Sequence, residues 1–64
     1  TIVRDYVERL KEMYRSLIEL RYYDELSYEE IAQLQAIPIG TVKARLHRAK
    51  GMLHQMMAPN RGLY

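Results

Sequence analysis

The segment IPIGTVKARLHRAK, Ile37 to Lys50, gathers the side chains of this chain best suited to chemistry with a charged partner. Four bases (Lys43, Arg45, Arg48 and Lys50) stand with His47 in fourteen residues that contain no acid. Duplex DNA carries one negative charge per ~1.7 Å of axis, and Lys and Arg meet both its phosphates and its guanine edges. The chemistry such a segment offers is therefore nucleic-acid binding. Catalysis has little to work with: the sequence offers no nucleophile–base pair, no glycine-rich phosphate cradle and no paired-carboxylate site. Cysteine is absent, which excludes disulfides and thiolate metal sites. His47 and His54 have no carboxylate or thiolate neighbours in sequence, so neither a metal site nor a cofactor is expected.

The charge balance along the chain sharpens this reading. Residues 1–36 carry five bases against eight acids, a net of −3, whereas residues 37–64 carry five bases and no acid, +5. An acidic half joined to a basic half implies two surfaces with different partners. At 64 residues there is room for one small domain with a thin margin of stability. A chain that opens on Thr1 reads as a fragment or a processed piece. No apolar run approaches the ~20 residues of a membrane span and no signal-peptide layout is present, so a soluble cytoplasmic domain without a membrane partner is expected.

The elements that must position the basic segment are all helical. Val3, Val7, Leu10, Tyr14 and Leu17 recur at helical spacing, with Tyr6, Met13, Ile18 and Leu20 widening the stripe, and nothing in the pattern forces a break before Tyr22. Ser27 followed by Glu30 has the layout of a capping box, with Leu26 and Ile31 placed as a hydrophobic staple. A capped helix is expected over about 27–35, with Ile31, Ala32 and Leu34 facing inward. Pro38 lacks an amide hydrogen and disfavours a helical Ile37, so a new helix must begin there. It is expected over about 39–57, with Ile39, Val42, Leu46, Ala49, Leu53 and Met56 inward. Two helices joined by a tight turn, the second one basic, outline a helix-turn-helix. The expected fold is a small all-α domain of three or four helices spanning 1–57, with 58–64 as a flexible C-terminal tail. Met52, Met56 and Met57 are expected as core and helix-end packing, and Tyr22 and Tyr23 between helices.

A rotation of about 100° per residue resolves the last helix into faces. Val42, Leu46, Ala49 and Leu53 cluster on one side, with Gly40, Ala44, His47, Arg48 and Gly51 opposite. Lys43 and Lys50 flank that outer strip on one side, Thr41 and Arg45 on the other. Small residues let a backbone approach base edges in a groove ~12 Å wide, and cations frame them. The first turn lacks the acid that usually complements the helix pole, which suits a phosphate there.

With those residues assembled, the string LRYYDELSYEEIAQLQAIPIGTVKARLHRAK resembles region four of bacterial sigma factors, the extracytoplasmic-function (ECF) group most of all. That group has a Leu-Arg-Tyr run, then Leu-Ser-Tyr-Glu-Glu-Ile-Ala, then Ile-Pro-Val-Gly-Thr-Val-Lys-Ser-Arg-Leu-His-Arg-Ala, which Leu20 to Lys50 follow almost without gaps. The resemblance implies a four-helix domain that binds the "−35" promoter element. It implies Lys43, Ala44, Arg45, His47 and Arg48 as recognition-helix contacts, Thr41 and Lys50 near phosphates, and Tyr28 holding the backbone. It further implies the flap of the RNA polymerase beta subunit as a partner for the other surface, and an anti-sigma factor as a regulator in many members.

This sequence departs from that pattern at named positions. Leu10-Lys11 stands where Leu-Pro is common, so the first two helices are expected to merge or bend less sharply. Ala36 replaces a frequent turn glycine, at a cost of roughly 1–2 kcal/mol if the backbone there is left-handed. Ala44 replaces a frequent serine, and Gly51 sits mid-helix at about 1 kcal/mol, so fraying beyond it is expected. Two other readings fit the turn layout or the basic helix: a LuxR-type regulator's DNA-binding domain, and a protein- or membrane-binding amphipathic module.

Overall fold

A computed structural model describes residues 2–57, with side chains described from Arg4 onward; the expected tail at 58–64 lies outside the described residues. Among the described residues the chain is helical throughout, in four elements. They are α1 (Ile2–Glu8), α2 (Glu12–Ile18), α3 (Tyr28–Gln35) and α4 (Ile39–Met56), with a π-helical turn, Glu19–Tyr23, continuing α2.

Of the two expectations for the first helices, merger or a gentler bend, merger does not hold: α1 and α2 are separate elements. The α1 backbone closes with Arg9 N–H to the Tyr6 carbonyl (3.1 Å) and Leu10 N–H to the Val7 carbonyl (3.0 Å). Lys11 then takes an extended conformation (ψ 150°), and its carbonyl accepts from Tyr14 and Arg15 N–H to open α2. Each helix has only seven residues, too short to persist alone in water. The break is held by burial, since it delivers Val7 and Leu10 to the same core as Leu17 and Ile18.

That core joins all four helices: Val7, Leu10, Leu17, Ile18, Ile31, Val42, Leu46 and Ala49. Two residues expected inward are not. Leu34 is 64% exposed, because the inward direction of α3 runs between Tyr28, Ile31 and Ala32 and Leu34 is turned roughly 110° from it. Ile39 is 36% exposed, since the first turn of α4 projects past the packed body with Pro38 and Gly40. Tyr22 and Tyr23 likewise lie open rather than between helices, and Met57 is exposed while Met52 and Met56 are half-buried.

The turn between α3 and α4 follows from two local devices. The Ser27 hydroxyl accepts from Glu30 N–H (3.0 Å) and Ser27 N–H donates to Glu30 Oε1 (2.8 Å), the full capping box. These hydrogen bonds hold the Glu30 carboxyl below its ordinary pKa. A depressed carboxylate stabilises the fold above its unfolded pKa, and that contribution is lost as pH falls through the folded one. At the other end α3 closes with Ala36 N–H on the Gln33 carbonyl (3.3 Å) and Ile37 N–H on the Ala32 carbonyl (3.1 Å), a Schellman arrangement. Ala36 is left-handed there (φ 58°, ψ 45°), where a side chain is strained. Ala36→Gly should therefore stabilise the chain by about 0.5–1 kcal/mol, raising the thermal midpoint by about 2–8 °C. A lower midpoint in a melt followed by circular dichroism would refute the strain.

Candidate nucleic-acid interface

Pro38 ends one backbone segment and starts the next: its carbonyl accepts from Thr41 N–H (3.0 Å) and Val42 N–H (3.2 Å) to begin α4. The helix then runs unbroken for 18 residues to Met56. The helix continues past Gly51, beyond which fraying is expected, as far as Met56. A Cβ at Gly51 or Gly40 would meet nothing within 4 Å, so neither glycine is required by packing.

Burial splits α4 as its sequence implies. Val42, Leu46 and Ala49 are essentially inaccessible, with Leu53 half-buried below them. Lys43, Ala44, His47, Arg48 and Lys50 are exposed, and Thr41 and Arg45 are half-buried at the margins. No acid stands in the first turn of α4. Among the described residues no group of acids, histidines or cysteines could hold a metal. No helix among them is long and apolar enough to cross a membrane.

The outer strip has two different flanks. On one side Lys50 turns toward the π turn, its Nζ 5.7 Å from the centre of the Tyr22 ring. The Tyr22 side chain beside it holds the Lys50 ammonium above the ordinary lysine pKa. On the same side Tyr28, the first residue of α3, lies half-buried with the Arg21 guanidinium 5.0 Å from its ring centre. Arg21 Nη1 also donates to the Leu26 carbonyl (3.0 Å). On the other side Arg48 shares an open cleft with Arg9, Lys11, Tyr14, Met52, Gln55 and Met56. That cleft has three cations and no acid in its lining.

The structure thus brings the sequence-selected residues Thr41, Lys43, Ala44, Arg45, His47, Arg48 and Lys50 onto one helix, with Tyr28 set beside it. Arg9, Lys11, Arg21 and Tyr22 escaped the sequence reading as parts of this surface. Only the three-dimensional packing places them near α4, although the aromatic-basic run LRYY was a visible signal. Arg9 lies over the Tyr6 ring at 5.2 Å.

A short capped helix, a left-handed turn and a longer helix with an acid-free outer face define a helix-turn-helix domain. The chain belongs to the sigma-70 region 4 family: the family model described as "Sigma-70, region 4" matches residues 1–53. It is similar to the ECF RNA polymerase sigma factor SigW of Bacillus subtilis strain 168, with 40% identity over 55 residues, 86% of this chain and 29% of that protein. It is similar also to the ECF RNA polymerase sigma-E factor of Haemophilus influenzae, with 40% identity over 58 residues, 91% of this chain and 31% of that protein. The ECF RNA polymerase sigma-E factor of Escherichia coli K12 is 43% identical over 53 residues, 83% of this chain and 28% of that protein. The chain spans less than a third of the length of these relatives.

Proposed function

We propose that this chain is the promoter-recognition region of an ECF sigma factor. It binds the "−35" element as duplex DNA while RNA polymerase core binds elsewhere on it, and it performs no chemistry. The observation that supports this most is the division of α4. Its apolar stripe is consumed by the core, while an acid-free strip from Thr41 to Lys50 faces outward. That consumption also argues against an amphipathic membrane helix, which needs its apolar face free.

In this reading Thr41, Lys43 and Lys50 meet phosphates, with Tyr28 holding the backbone from the start of α3. Arg48, His47 and Arg45 reach base edges, and Ala44 leaves room for the close approach. The flap of the polymerase beta subunit and an anti-sigma factor are partners for the remaining surface. The apolar groove between the π turn and the end of α4, lined by Ile18, Tyr22, Tyr23, Leu53 and Met57, has the character such a protein partner needs. The site of action is then the bacterial cytoplasm, at the nucleoid.

The test is selection of bound duplexes from a random pool in the presence of core polymerase, followed by a salt series on the enriched sequence. A single enriched motif recovered with polymerase supports the reading. Recovery of DNA without polymerase association points to another class of helix-turn-helix regulator. Lys50→Ala should weaken selected and random duplex alike and reduce the salt slope by about 0.9. An unchanged slope removes Lys50 from the phosphate contacts.

A further inference from the structure

The π turn makes three successive contacts of one kind, each to a different helix. Arg21 lies over Tyr28 of α3 at 5.0 Å, Tyr22 underlies Lys50 of α4 at 5.7 Å, and Tyr23 underlies Arg4 of α1 at 4.7 Å. A π turn closes i to i+5, here Asp24 N–H on the Glu19 carbonyl at 3.0 Å, so it holds one more residue than an α turn would. Consecutive side chains are thereby fanned toward different neighbours. Arg21 has a second hold, its 3.0 Å bond to the Leu26 carbonyl. That bond closes a loop in which Glu25 is left-handed (φ 57°), a strained state that persists only where surrounding contacts enforce it.

We propose that Arg21 and Tyr22 are positioning residues for DNA binding, setting Tyr28 and Lys50 where the two helices meet the phosphate backbone. This rests on the promoter-binding reading above. The exposed Lys50 needs such a brace most, while Tyr28 is already packed against the core on one side. Lysine carries about 2 kcal/mol of rotamer entropy, and Tyr28 sits at a helix start whose approach is fixed by the loop Arg21 closes. The raised ammonium pKa of Lys50 agrees with a held rather than a freely solvated side chain. Tyr23 takes its pair from α1, and its ring also lines the groove beside Leu53 and Met57.

The experiment measures affinity and salt slope of the full chain on the enriched duplex. The proteins are Tyr22→Leu, Lys50→Ala and their combination, then Arg21→Lys, Tyr28→Ala and their combination, with Met13→Ala, an exposed residue of α2, beside them. Tyr22→Leu should weaken binding roughly 2- to 5-fold and move the salt slope in the direction of Lys50→Ala. The combined variant should bind no worse than Lys50→Ala alone. Arg21→Lys keeps the charge but loses the planar fork, so it should weaken binding in wild type and add nothing to Tyr28→Ala. Met13→Ala should leave the slope unchanged.

Additive losses in either combination, or full binding by Arg21→Lys, overturn the proposal. If Tyr22→Leu fails to fold by circular dichroism, Tyr22→Gln, which removes the ring from a side chain that is 48% exposed, is measured on the same duplex. A weakened affinity with a shifted slope supports the brace, and full affinity with an unchanged slope overturns it. A wild-type chain that enriches no duplex defeats the promoter reading and this inference with it. A wild type that binds while Tyr22→Leu keeps full affinity and slope defeats the inference alone.

Discussion

Arg48→Ala is expected to weaken binding to the enriched duplex by about 1–3 kcal/mol more than binding to random duplex. The side chain is exposed on α4, one residue from His47. It leaves the helix on the flank away from Lys50 and its tyrosine brace. The guanidinium has a planar fork that matches two acceptors of one guanine, which a phosphate contact does not require. Loss of that fork should be felt at one base pair of the enriched motif and not at its neighbours. Equal losses on both duplexes would make Arg48 a phosphate contact, and the proposed base-reading set would shrink to His47 and Arg45. Arg9 and Lys11 line the same cleft, so Arg48→Ala leaves cations nearby. The comparison with random duplex is therefore cleaner than an absolute loss.

Much of this surface is legible in the sequence. The sequence pattern of α4 separated Val42, Leu46 and Ala49 from Lys43, His47 and Arg48 because one long helix against one core obeys a single period. The capping box at Ser27 was legible for a similar reason, being a contact within four residues. The failures lie where local rules compete with packing. Leu34 has the right residue type and nearly the right spacing, but α3 is only eight residues long and its orientation is set by Ile31 against α4. The break at Arg9–Lys11 has no proline to announce it and is enforced by burying Leu10, a long-range cause. The π turn is least legible of all. A helical stripe read at 100° per residue cannot reveal an added residue, so the pattern places Tyr22 and Tyr23 between helices whereas both lie open.

Leu46→Ala should cost about 2–5 kcal/mol, the largest single effect foreseen in this chain. The side chain is 1% exposed and among the largest fully buried ones, with Leu17, Ile31, Val7 and Val42. A domain of 64 residues has on the order of 3–10 kcal/mol in total. The substitution therefore removes a large share of it, and midpoint losses on the order of 10–30 °C follow for a domain of this size. Leu46→Met, which keeps volume, should cost less than about 1.5 kcal/mol. Leu34→Ala deletes the same atoms from a side chain that is 64% exposed and should fall within about 0.5 kcal/mol of wild type. Urea titrations of the three variants check the ordering. Similar midpoints for Leu46→Ala and Leu34→Ala would mean that α4 is not seated on its apolar stripe. The cationic strip would then lose its fixed outward direction, because only the anchoring of Leu46, Val42 and Ala49 holds Arg48 and Lys43 on the opposite side of the helix.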